Sequence, residues 1–177
     1  MREECIGLIE LLAKSQNNYL EALEIEPPKK LTVSPPNKWN ILQVLEHISF
    51  SQQGTISYIN KKKQADKIKK AGWRSSLGLL TIKLFFKYNL KIKAPSVLPQ
   101  PKRENELENL KHKLQAQQKE LISLANELPE EKLKAEIFKH PLAGRINFKQ
   151  TCTFLKLHWL HHTKQIDNLL EQYVEEK

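Results

Sequence analysis

Three of the chain's six histidines fall within five positions, His158, His161 and His162, in the stretch TFLKLHWLHHTKQIDNLL (153–170). On a helix, His158 and His162 lie four apart and so sit one above the other on a single face. His161 is turned about 100° from His162 and points elsewhere. The stripe that carries the pair, Thr151, Leu155, His158, His162, Gln165/Ile166 and Leu169, is otherwise largely apolar, so both imidazoles are aimed at a core. A third, His47, lies between Leu45 and Ile48 and three residues after Val44, again on or beside an apolar stripe. Burying a neutral imidazole without a partner costs about 1–3 kcal/mol. A shared divalent cation removes that cost, and three histidines leave coordination positions open for water or substrate. Two readings follow: polar groups satisfied within a core, or ligands of a metal such as Zn, Ni, Fe or Mn.

The neighbours add little acid–base chemistry. Asp and Glu are absent from 148–166, Asp167 lies beyond the pair, and Glu46 is turned about 100° from His47. Gln165, three residues after His162, is placed to orient that ring by a hydrogen bond. His140, in KHPLAG, reads as a turn residue packed against the end of the fold, and His112, between Lys111 and Lys113, as surface. Trp39 reads as the anchor that opens a helix, and Trp159 as packing on a neighbour. Cys5 and Cys152 form neither a disulfide framework nor a CxxC metal motif, and Cys152 reads as a buried thiol.

The elements that must position these residues are helices. Apolar residues recur at three- and four-residue spacing over 3–24, 38–62, 104–128 and 148–174, with Asn37 placed as N-cap of the second and the last starting at Asn147 or the residues beside it. Two proline-rich stretches, EPPKKLTVSPPNK and APSVLPQP, read as extended loops, and no alternating pattern is long enough for a substantial strand. The fold class is therefore all-α: one domain over 1–177, a four-helix bundle with an inserted basic helical segment between the second and third long helices.

The net charge of +9 is local. Residues 61–93 hold eleven Lys/Arg against one acid, Asp66. Bases interleaved with Trp73, Phe85, Phe86 and Tyr88 suit nucleic acid, and a basic amphipathic helix suits an anionic membrane. The favoured reading is that the lysines reach solvent from a helix whose apolar side covers the bundle. There the segment would shape a pocket mouth and attract an anionic small-molecule substrate. No run of about 20 apolar residues is present, and MREECIGLIELLAKSQ lacks the features of a signal peptide. The expected location is cytoplasmic.

Two of these stretches also carry a family likeness. KWNILQVLEHISFSQQ resembles the second-helix motif of the DinB/YfiT-like superfamily, a Trp opening a helix with a His eight positions on. FKHPLAGRINFKQTCTFLKLHWLHHTKQI resembles its closing motif, a His-Pro turn with a Gly, a helix start, then H-x-x-H-H-x-x-Q-I. IKAPSVLPQP resembles the proline-bearing loop before the third helix, so the likeness spans roughly 5–172. The superfamily is distinct from the DNA polymerase that shares the name. The resemblance implies a four-helix bundle, a divalent metal held by His47, His158 and His162, and a homodimer. It implies a metal-dependent hydrolase or transferase, above all an S-transferase using a low-molecular-weight thiol such as bacillithiol or mycothiol. The metal's implied role is to bind that thiol and lower its pKa, or to activate a water. The alternative is a non-catalytic module that uses the basic 61–93 segment on nucleic acid or an anionic membrane.

Overall fold

The computed structural model describes residues 1–88, 99–102 and 105–173. The expected helical stretch 89–93, most of the second proline loop and the chain end after 173 lie outside them.

Four long helices form the bundle: α1 (Arg2–Glu24), α3 (Ile41–Lys62), α5 (Leu107–Glu127) and α7 (Phe148–Gln172). α1 and α3 sit diagonally, each packed on both α5 and α7. The apolar stripes face inward as their spacing requires, with Ile9, Leu12, Leu20, Ile41, Leu45, Ile48, Leu114, Leu121 and Leu155 among the buried residues. One layer of the core is polar. Gln118 Nε2 donates to Gln16 Oε1 at 2.8 Å, Gln16 Nε2 to Gln52 Oε1 at 3.3 Å, and Gln117 Nε2 to Ser49 Oγ at 3.0 Å. These bonds tie α1, α3 and α5 together at one level and fix how the helices slide past one another.

α3 and α7 begin with the same local device. In each, an Asn side chain caps the first turn and a Gln three residues on returns the bond, Asn40 with Gln43 and Asn147 with Gln150. Each box satisfies two orphan backbone donors and sets the phase of the helix behind it. The last helix starts at Asn147 as expected. Asn37 does not: it has φ +57°, a left-handed turn, and the cap falls three residues later because only Asn40 has a Gln at the reciprocating position. The loop before it is also less extended than its prolines suggest. A short helix, α2 (Pro28–Thr32), starts on a proline whose missing N–H the first turn does not use, and Asn40 Nδ2 holds its Thr32 carbonyl.

The inserted segment contributes α4 (Trp73–Lys87), and a hairpin lies under it, β1 (Phe138–His140) antiparallel to β2 (Gly144–Ile146). This hairpin, with a short helix α6 (Glu130–Leu133) before it, occupies the connector ahead of α7. Its three-residue strands are too short to leave an alternating pattern. Gly144, at φ +68°, closes the turn. α4 lies close on this turn: a Cβ at Gly78 would stand 2.2 Å from the Ala143 carbonyl oxygen, and Ser75 Oγ donates to the Arg145 carbonyl at 2.9 Å. The far end of α4 then rests against α7 beside the histidines.

Candidate metal centre

α3 and α7 bring His47, His158 and His162 together. One ring nitrogen from each lies within 4.8 Å of the others. The rings meet edge to face, with centroids 5.4 Å apart for His47 and His158, 5.0 Å for His47 and His162, and 4.5 Å for His158 and His162. His47 and His162 are buried and His158 is half-buried.

His162 is fixed from behind. Its Nδ1 is 2.9 Å from Gln165 Oε1, so Nδ1–H donates and Nε2 keeps its lone pair. That lone pair points into the cluster, 3.1 Å from His158 Nε2. In this pair His158 Nε2–H donates and His162 Nε2 accepts. Burial holds these rings neutral: it pushes His47 down to about 4 and His162 to about 3, and it lowers His158 well below the usual imidazole range, with the neighbouring histidines adding to the effect. A neutral imidazole is the form that ligates.

The donor set fits a transition metal. Three nitrogens on a tetrahedral Zn at about 2.0–2.1 Å would stand about 3.4 Å from one another. The nitrogens observed within 4.8 Å of one another are of that order. Binding would require His158 to carry its proton on Nδ1, a shift between neutral tautomers.

Aromatic rings wall the cluster. Trp39 lies 5.2 Å from His47, Phe154 5.5 Å from His158, and Phe86 of α4 6.2 Å from His158. Phe154 was not in the stripe read from the sequence; its place one helical turn before His158 is the signal that could have found it. Phe86 had no such signal, since it arrives from a different helix. Trp39 opens α3 as expected and in doing so covers a candidate ligand.

The other singled-out residues are placed as follows. His161 stays outside the cluster, half-buried, with Phe86 at 5.3 Å. His140 is buried in the hairpin turn, where its Nδ1 accepts from the backbone N–H groups of Leu142 and Ala143 at 3.1 and 3.2 Å, and its ring meets Phe154 at 4.4 Å. His112 is on the surface beside Glu108. Trp159 is buried and donates to Ser15 Oγ at 3.0 Å. Cys5 and Cys152 are both buried. Asp167 accepts from the Tyr19 hydroxyl, which joins α1 to α7 rather than serving the histidines. Glu46 is buried and accepts from the Lys102 backbone N–H, while Gln43 Nε2 donates to the Pro101 carbonyl, so together they hold the described end of the second proline loop on α3. Among the described residues no carboxylate joins the three-histidine group, and no helix is long and apolar enough to cross a membrane.

The DinB superfamily model matches residues 11–166. That range contains all four long helices in large part and all three histidines, and the chain belongs to this superfamily. Neither a curated protein nor a solved structure matches the chain.

Proposed function

We propose that this DinB-superfamily chain holds a divalent transition metal on His47, His158 and His162 and uses it to transfer a low-molecular-weight thiol to an electrophilic small molecule. The observation that carries the reading is the convergence of three neutral imidazole nitrogens within 4.8 Å, with no carboxylate joining them among the described residues. A closed structural site would draw a fourth protein ligand, whereas three ligands leave room for an exogenous one. A bound cation supplies a Lewis-acid centre that lowers the pKa of a thiol or water beside it.

The chain's own residues do the rest. Gln165 keeps the His162 proton on Nδ1 and so presents Nε2 inward. Trp39, Phe86 and Phe154 keep bulk water from the ligands, which strengthens every electrostatic interaction there. Lys164, whose charge helps to lower His161, favours an anionic thiol or substrate.

The test is a thiol-consumption assay. The protein is loaded in turn with Zn, Ni, Mn and Fe and offered bacillithiol, mycothiol or glutathione with a panel of alkylating electrophiles. Consumption that needs metal and disappears in His162→Ala supports the reading. Metal binding without consumption of any thiol would remove the transfer step and leave the metal centre standing.

A further inference from the structure

One face of α4 is not used by the bundle. Trp73, Leu77, Leu80, Leu84 and Tyr88 recur at spacings of four, three, four and four, which sets them within a sector of about 80°. They are 72%, 56%, 49%, 42% and 64% exposed. The opposite face already does the packing: Ser75, Gly78 and Ile82 are buried, and Phe85 and Phe86 lie against His161. One apolar side of α4 thus covers the bundle as expected, and the outer stripe is a second apolar face.

The stripe is edged with bases. Lys83 and Lys87 lie along one side, Arg74 along the other, and Lys67, Lys69 and Lys70 precede the helix, all exposed. No Asp or Glu occurs between 67 and 88. None occurs between 137 and 166 either, the stretch that forms the hairpin and the part of α7 over which α4 lies, and there Lys139 and Arg145 are exposed. α4, the hairpin and the part of α7 over which α4 lies therefore present bases and no acid among the described residues.

We propose that α4 is an interfacial helix that docks the protein, stripe down, on an anionic phospholipid surface. Large apolar side chains along the centre and bases along both edges match the acyl boundary and the charged headgroups of such a surface. A second copy of the chain fits less well. Pairing two stripes across a two-fold axis would set Arg74, Lys83 and Lys87 against the same residues, with no acid in the segment to neutralise them. Nucleic acid fits less well because three leucines occupy the centre of the face, where a phosphate reader would place its bases. Since Phe86 on the same helix covers His158, a docked α4 sets the lipid surface over the histidine cluster.

The experiment is vesicle flotation of the full chain, with phosphatidylcholine vesicles compared with vesicles containing about a third phosphatidylserine. The wild type should float with the anionic vesicles, at least about tenfold less with the neutral ones, and less again at high salt. Leu80→Glu/Leu84→Glu and Lys83→Glu/Lys87→Glu should each abolish flotation while keeping the wild-type circular-dichroism melt. Leu80→Gln, a milder change, should weaken flotation if the double leucine variant does not fold. No flotation of the wild type, or equal flotation of the leucine variants, would overturn the proposal. So would a dimer on a sizing column that Leu80→Gln breaks, or binding to DNA or RNA that survives where flotation is absent.

Discussion

His140 and the three clustered histidines are the same residue type under similar burial, yet the structure uses them differently. Burial pushes His140 and His47 alike to about 4. A depressed imidazole is therefore no mark of a ligand. What differs is where the lone pairs go. His140 spends its Nδ1 lone pair on two backbone N–H groups of its own turn, and its ring fills space against Phe154. His162 spends a proton on Gln165 and directs its lone pair at His158, where no backbone donor meets it. The first histidine is complete within the fold. The others turn ring nitrogens toward one another, all within 4.8 Å.

The largest effect that would sharpen this contrast is on metal content. His47→Ala, His158→Ala and His162→Ala should each reduce bound metal from near one per chain to a small fraction, while His140→Ala and His112→Ala leave it unchanged and His161→Ala lowers it less. Equal loss across all six, measured by elemental mass spectrometry, would break the contrast. Next is stability. His140→Ala removes a buried ring and the acceptor of the Leu142 and Ala143 N–H groups, of which only the second is buried, and should cost about 2–4 kcal/mol in urea unfolding, whereas His47→Ala should cost less in the metal-free protein and abolish the rise in melting temperature on adding metal.

Gln165→Leu should come third. It removes the group that fixes the His162 tautomer and should weaken metal binding about 10–100-fold with little change in the metal-free melt. Acid sensitivity comes last. His47 and His140 titrate near 4 when folded, against the usual 6.5. Between those values the unfolded chain takes up protons that the folded chain does not. The stability these groups contribute is therefore complete above pH 6.5 and lost as pH falls toward 4. A melting temperature of the metal-free protein that is flat from pH 7 to 4 would contradict the burial of these rings.

Much of this was legible in the sequence, and the limits have physical causes. Long helices announce themselves because a 3.6-residue period repeats over about six or seven turns, so α1, α3, α5 and α7 could be read directly, and the inward histidines with them. Gln165 was legible because its partner lies one turn away. The cap of α3 was misplaced because Asn37 and Asn40 are the same residue, and only the returning bond from Gln43 separates them. The hairpin was missed because three residues cannot show a period. α4 was half-read: both of its faces are apolar, and no pattern within a helix says which side its neighbours will take. The roles of Phe86 and Glu46 depend on contacts made far along the chain, Phe86 with His158 and Glu46 with Lys102.

The central claim is that His47, His158 and His162 act together on one cation. Its most direct test is metal content of the purified, untagged protein by elemental mass spectrometry, beside His162→Ala and His140→Ala. The account predicts one transition metal per chain in the wild type and in His140→Ala, and almost none in His162→Ala. No metal in the wild type after reconstitution with Zn, Ni, Mn and Fe, or metal retained in His162→Ala, would contradict it and return the three imidazoles to the core as ordinary polar groups.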